Sequence, residues 1–228
     1  MLKRLYYILL QRIYVIRNRN KLCQGKVYMF HEIKKDDGIY SIDKESFRSF
    51  LDWLLENKKI VDLKTMMEEK NGNNVVITFD DAYDSVYNYA FSILKERNVP
   101  YHVFVCNDLL GKEGYLDEKM IKEMIDESKC IIGSHGYYHE LSRFKEKDVL
   151  KKELEKSKRE LEERFDINVQ CMAFPFGSIY ACSDENAEDA KELFDVLCMT
   201  YSLPYNDCYG NVVPRMNING KNYKDEMK

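Results

Sequence analysis

Short apolar, β-branched runs alternate with charged helical segments through most of the 228-residue chain, and no other feature restricts its fold as strongly. Residues 27–30, 75–79, 102–106, 130–133, 169–174, 196–201 and 212–218 read as strands. Residues 44–57, 63–70, 85–97, 117–127, 146–164 and 185–194 read as the helices between them. The longest of these carries many opposite charges at i,i+3 and i,i+4 spacing, which supports a helix. Strands that alternate with helices pair in parallel through right-handed crossovers. About seven such units predict an α/β protein with a distorted or incomplete (β/α)7 TIM-like barrel, and its chemistry belongs at the C-terminal strand ends.

Two parts of unequal size are expected: a basic helical segment at 1–26 and a catalytic domain at 27–228. The first 31 residues carry seven Lys/Arg and no Asp or Glu. Leu2, Leu5, Ile8, Leu9, Ile13 and Ile16 can share one helical face. Two readings stay open: peripheral contact of residues 1–20 with an anionic membrane surface, or a helix packed on the bottom of the domain. No apolar run approaches the ~20 residues of a spanning helix. No small-residue cleavage site follows the apolar stretch at 5–10, which argues against a secretory signal. A net charge of −4 argues against a general nucleic-acid binder. Seven cysteines (Cys23, Cys106, Cys130, Cys171, Cys182, Cys198 and Cys208) form no CxxC pair, so reduced thiols and a cytoplasmic place are expected, peripheral at the membrane under the first of the two N-terminal readings. No pattern specifies an oligomeric state.

The polar residues fall where the barrel rule puts chemistry. His31 follows the first strand, Asp80 and Asp81 the second, Asn107 and Asp108 the third, His135 the fourth and Pro175 the fifth, while Arg215 lies in the last. In Val75-Val-Ile-Thr-Phe-Asp80-Asp81-Ala-Tyr-Asp84, two adjacent carboxylates end an apolar strand. That is costly unless a cation or hydrogen bonds stabilise them. A helix cap would account for one acidic residue, Asp81 or Asp84, but not for the cluster. In Gly133-Ser-His135-Gly-Tyr-Tyr-His139, two of the chain's four histidines stand four residues apart. They could reach one metal if the turn is helical.

These motifs resemble those of the polysaccharide deacetylases, carbohydrate esterase family 4. Thr78-Phe79-Asp80-Asp81 matches the family's Thr-Phe-Asp-Asp-Gly with Ala82 in place of Gly, and His135 to His139 matches His-Ser/Thr-x-x-His with Gly136 in place of Ser/Thr. Ala173-Phe174-Pro175-Phe176-Gly177 is similar to a third motif that ends in Pro-Tyr. The resemblance implies that Asp81, His135 and His139 bind a divalent metal, zinc first, with cobalt and nickel as alternatives. It implies that Asp80 is the general base toward a metal-bound water that attacks an acetamide carbonyl. The Phe176 backbone N–H would help to hold the oxyanion, with Pro175 and Tyr83 as further substrate contacts. Three protein ligands leave an open zinc position, and the metal lowers the pKa of water and polarises the amide. The implied partner is an N-acetylated glycan or oligosaccharide.

Two supporting groups depart from the common pattern. Gln170-Cys-Met-Ala stands where relatives carry an Arg that orients the base, and Arg215 is the expected replacement. No His follows His139, so the late general acid is absent. His31 takes that part by similarity to the subgroup that includes biofilm poly-N-acetylglucosamine deacetylases, and His102, expected at the opposite rim, is structural. Two alternatives stay open: an O-acetyl esterase, and a catalytically degenerate sugar-binding module.

Overall fold

The structure, a computed structural model, describes residues 2–18, 22–35, 38–206 and 210–228. Cys208 lies outside the described residues, as do Met1 and residues 19–21 of the N-terminal segment. Seven parallel strands close into a barrel: β1 (Lys26–Phe30), β5 (Asn74–Phe79), β6 (Pro100–Val105), β7 (Lys129–Ser134), β8 (Cys171–Ala173), β9 (Val196–Thr200) and β10 (Val212–Asn217). β1 closes the ring by pairing with β5 on one side and β10 on the other. The expected (β/α)7 TIM-like barrel is therefore present, and its ring is complete. Short pairs escape the sequence pattern because two residues carry no periodicity: β2 (Glu32–Ile33) with β3 (Ser41–Ile42), and β4 (Lys59–Ile60) beside the start of β5.

Helices α2 (Lys44–Asn57), α3 (Leu63–Glu69), α5 (Glu118–Glu127), α6 (Lys147–Phe165) and α7 (Asp184–Lys191) surround the barrel. Asp43, Asp62 and Asp117 start α2, α3 and α5 by accepting backbone N–H bonds at the first turn. The helix expected at 85–97 begins as a π-helical segment, Val86–Phe91, and continues as α4 (Ser92–Glu96). The strand expected at 169–174 narrows to the three residues of β8.

Alternate strand residues pack two cores. Tyr28, Phe30, Ile77, Phe79, Tyr101, Val103 and Met172 face the helices. Val27, Val76, Phe104, Cys171, Ala173, Cys198 and Val213 fill the inside of the ring, where small side chains surround one large one, Phe104. A Cβ at Gly133 would stand 2.5 Å from the Phe104 ring, so only glycine leaves room for it. Arg215 continues this inner column toward the C-terminal rim. It is fully buried, with its guanidinium over the Phe104 ring at 5.2 Å.

α1 (Leu2–Asn18) does not lie on the barrel bottom. Gln11 Nε2 donates to the carbonyl of Thr200, at the C-terminal end of β9 (3.0 Å). Tyr14 packs on Tyr201, and Arg143 on the Tyr7 ring. The helix thus joins the barrel beside the rim where chemistry is expected.

Candidate metal centre and catalytic cavity

The strand register brings the separate motifs together. Phe30 pairs with Phe79, so the residues that follow them, His31 and Asp80, leave adjacent strands at one level. The Asp80 N–H donates to the Phe30 carbonyl (2.9 Å), and the His135 N–H to the Val105 carbonyl (2.8 Å), which continue the ladders by one residue into the site. Asp81 and Ala82 then turn the chain sharply, with φ of 66° and 58°. Left-handed backbone strains residues with a Cβ, and two in succession mark a site that holds its shape against that cost. The family's Gly at position 82 thus has a physical reason, and this chain meets the same geometry with Ala82.

His135 and His139 converge, but not through a helical turn. Residues 135–139 form a bent loop that Gly136 opens at φ 75°, and the two rings come within 5.3 Å of each other. His135 Nε2 lies 3.3 Å from Asp81 Oδ1, and His139 Nε2 lies 3.0 Å from the same oxygen. One ligand atom from each of the three residues falls within 4.8 Å of the others. Asp81 and His135 are buried and His139 is half-buried, so the cluster opens on the His139 side.

Hydrogen bonding tests whether a cation suits this cluster. His135 Nδ1 donates to the Ala173 carbonyl (2.8 Å), which leaves a lone pair on Nε2 in the neutral ring. That lone pair faces Asp81 Oδ1, a buried oxygen without a hydrogen-bond partner. Two electron-rich atoms in this position need a proton or a cation between them. Burial opposes ionisation of Asp81, yet the imidazoles of His135 and His139 hold its carboxyl far below the usual range. Burial also opposes a charge on His135, and Asp80 with Asp81 overcomes it and raises that imidazole's pKa. A divalent cation fits this donor set of two nitrogens and one carboxylate.

Asp80 sits behind the cluster under the control of one residue. Arg215 Nη1 and Nη2 donate to Asp80 Oδ1 and Oδ2 at 2.6 and 2.7 Å, a two-pronged contact between fully buried groups. Nη1 also reaches Thr78 Oγ1 (3.3 Å), whose hydroxyl donates to the Tyr28 carbonyl. Burial would raise the Asp80 pKa, and the Arg215 guanidinium, aided by His135, lowers it instead. Arg215, expected from sequence beside Asp80, is therefore in contact with it.

His31 lines the same cavity, against the Tyr40 ring at 4.7 Å. Burial lowers its pKa, and Asp80 and Asp81 oppose that shift only in part, so the ring is neutral near pH 7. Its Nδ1 is buried without a partner. The cavity, about 390 Å³, is walled by Met29, His31, Tyr40, Asp80, Asp81, Tyr83, His135, His139, Phe176, Thr200 and Asn217 among others. Phe176 is more than half exposed, adopts φ 64°, and sets its ring 4.7 Å from His139. Tyr83 stacks on Tyr115 at 5.1 Å.

Three expected residues stand elsewhere. Pro175 is buried behind the rim, near Gly136, and does not wall the cavity. Asn107 binds α6 through Ser157, and Asp108 pairs with Lys112, so neither reaches the site. Sequence reasoning missed Thr200, Asn217 and Tyr40. Asn217 could have been found, because it lies two residues after Arg215 on one strand and so shares its face. Tyr40 belongs to a loop with no register, which Asn217 and Asn219 pin through the Ile39 carbonyl (2.8 and 3.1 Å). His102 lies at the far end of the barrel, where Nε2 accepts the Leu63 N–H (3.1 Å), as a structural role requires.

The model of the family described as polysaccharide deacetylase matches residues 67–193, more than half of the chain. The chain belongs to the polysaccharide deacetylase family. Asp80, Asp81, His135, His139 and Phe176 fall within the matched residues, and His31 and Arg215 fall outside them. Among curated proteins, this deacetylase-family chain is 26% identical to the poly-β-1,6-N-acetyl-D-glucosamine N-deacetylase of Staphylococcus epidermidis over 161 residues, 61% of this chain and 55% of that protein. It is 27% identical to the protein of the same name from Staphylococcus aureus over 170 residues, 66% of this chain and 58% of that one. The chain thus spans under two thirds of the length of these relatives. Its fold is that of IcaB from Ammonifex degensii (TM-score 0.82, 20% identity, 91% of this chain and 97% of that one). It is also that of the Streptococcus pyogenes deacetylase PplD, solved in complex with acetate (TM-score 0.78, 20% identity, 89% and 97%).

Proposed function

We propose that the protein is a metal-dependent carbohydrate N-deacetylase that hydrolyses the acetamide of N-acetylglucosamine units in a β-1,6-linked glycan or oligosaccharide. One observation carries the reading: a buried carboxylate clamped by Arg215 stands next to a second carboxylate that shares its oxygen with two imidazoles. The names of the staphylococcal relatives support the choice of glycan.

Asp81, His135 and His139 would hold the metal, which when bound supplies Lewis acidity toward the carbonyl and toward water. Asp80 takes a proton from the attacking water. Arg215 keeps that carboxylate ionised and fixed in orientation. The water oxygen bonds to the acyl carbon, and the Phe176 N–H steadies the oxyanion. The C–N bond then breaks, the amine nitrogen takes a proton, and acetate leaves. His31 is neutral at rest, so it must gain a proton before it gives one. Asp80, beside it in the strand register, is the group that collects one.

Acetate release from β-1,6-linked N-acetylglucosamine oligomers tests this, with stripped protein supplied with zinc, cobalt or nickel. Release that depends on the metal, and that falls at least about 100-fold in His31→Ala, supports the reading. Stoichiometric metal binding without release from any N-acetylated oligomer sinks it.

A further inference from the structure

α1 turns one face to the barrel and leaves an apolar face on the opposite side. Tyr7, Gln11, Tyr14 and Asn18 face the barrel and make its contacts. Leu2, Leu5, Tyr6, Leu9, Ile13 and Ile16 are exposed, between 37% and 84%. At 3.6 residues per turn these six fall within an arc of about 100°, which is the width of a face built to be covered. No described segment of the chain covers it, and exposed Arg12 and Arg17 flank it on either side.

Charge decides what covers it. Residues 1–25 carry six Lys/Arg without one acidic residue, in a chain whose net charge is −4. A second copy would bring the same positive charge against this one, and an acid-free helix pair has nothing to offset that repulsion. An anionic lipid surface is apolar beneath and negative above, and long basic side chains at the edge of the face can reach its headgroups. The helix is not a span: among the described residues no helix is long and apolar enough to cross a membrane.

We propose that α1 docks in the plane of an anionic bilayer, with Leu2, Leu5, Tyr6, Leu9, Ile13 and Ile16 in the acyl boundary and Arg12 and Arg17 among the headgroups. Gln11 bonds to the carbonyl of Thr200, whose residue walls the catalytic cavity, so the docked helix is one residue away from the site. Docking does not depend on the chemistry proposed above, and vesicle binding reads it without any activity.

The test is co-sedimentation of the full chain with vesicles of phosphatidylcholine mixed with phosphatidylglycerol, against phosphatidylcholine alone. Binding to the mixed vesicles should be at least about tenfold stronger and should weaken as salt rises. L5E/L9E/I13E should weaken it by at least about 100-fold, while melting temperature and acetate release stay as in the parent. R12Q/R17Q, which leaves the apolar face intact, should lose about tenfold on mixed vesicles only, and serves if the triple variant fails to fold. No binding to either vesicle, equal binding to both, or a lipid-free dimer that L5E/L9E/I13E dissociates would each overturn the proposal.

Discussion

Arg215 and Asp80 are both buried, and each makes the other tolerable: an ion pair out of water stands only while both charges are present and their hydrogen bonds are made. The planar fork of Arg fixes the carboxylate in two directions, which a lysine ammonium does not do. Arg215→Lys is therefore expected to keep a charge near Asp80 but lower kcat by about 10–100-fold, with KM within about threefold, in steady-state acetate kinetics. An unchanged kcat would reduce Arg215 to a packing role. This residue was legible because the family resemblance calls for an Arg beside the base, none precedes the third motif, and Arg215 in the last strand can reach the double Asp. Asn217 offered a signal too, by its place on the same strand. Pro175 misled because a motif position says that a residue shapes a site, and not that it faces it.

At the scale of the element, turns set the geometry. Asp81 and Ala82 both hold left-handed backbone, and buried Ala82 leaves little room beside its methyl group. A β-branched residue strains most in that region. Ala82→Val is expected to destabilise the protein by about 2 kcal/mol or more and to remove activity, as urea unfolding and acetate assays would show. Ala82→Gly should retain both, since relief of strain offsets the greater freedom of the unfolded chain. The strands and most helices were legible because apolar runs and helical charge pairs persist over many residues. The bend at Gly136 was not, because two histidines four positions apart fit a helix and a loop equally well. The π-helical opening of the helix at Val86–Phe91 leaves no mark in a hydrophobic pattern either.

On the scale of the whole molecule, the barrel separates the rim that carries the candidate site from a structural floor. The floor has a titratable group of its own: His102 is fully buried, and burial lowers its pKa to about 4. Its Nε2 must stay unprotonated to accept the Leu63 N–H at the start of α3. In the unfolded chain the same imidazole titrates near 6.5. Between these values the unfolded state binds the extra proton, so stability falls as pH drops from about 6.5 toward 4, by up to ~1.4 kcal/mol per pH unit for this group. His102→Gln should flatten that slope in denaturant titrations, and an identical slope in parent and variant would mean that other groups carry it. Seven strand–helix units let the barrel be read before its pairings, and the pairing of β1 with both β5 and β10 is what shows its ring to be complete. The place of α1 could not, because its apolar face suggested burial while the contacts to the barrel come from Tyr7, Gln11 and Tyr14 on the other side.

In the proposed reaction Asp81, His135 and His139 hold a cation while Asp80 moves the proton. Acetate release by Asp80→Asn, measured beside its zinc content, tests it most directly. The variant is expected to bind zinc as the parent does and to release acetate at least about 1,000-fold more slowly. Release near the parent's rate with zinc bound, or parent protein that hydrolyses with no metal at all, would contradict it.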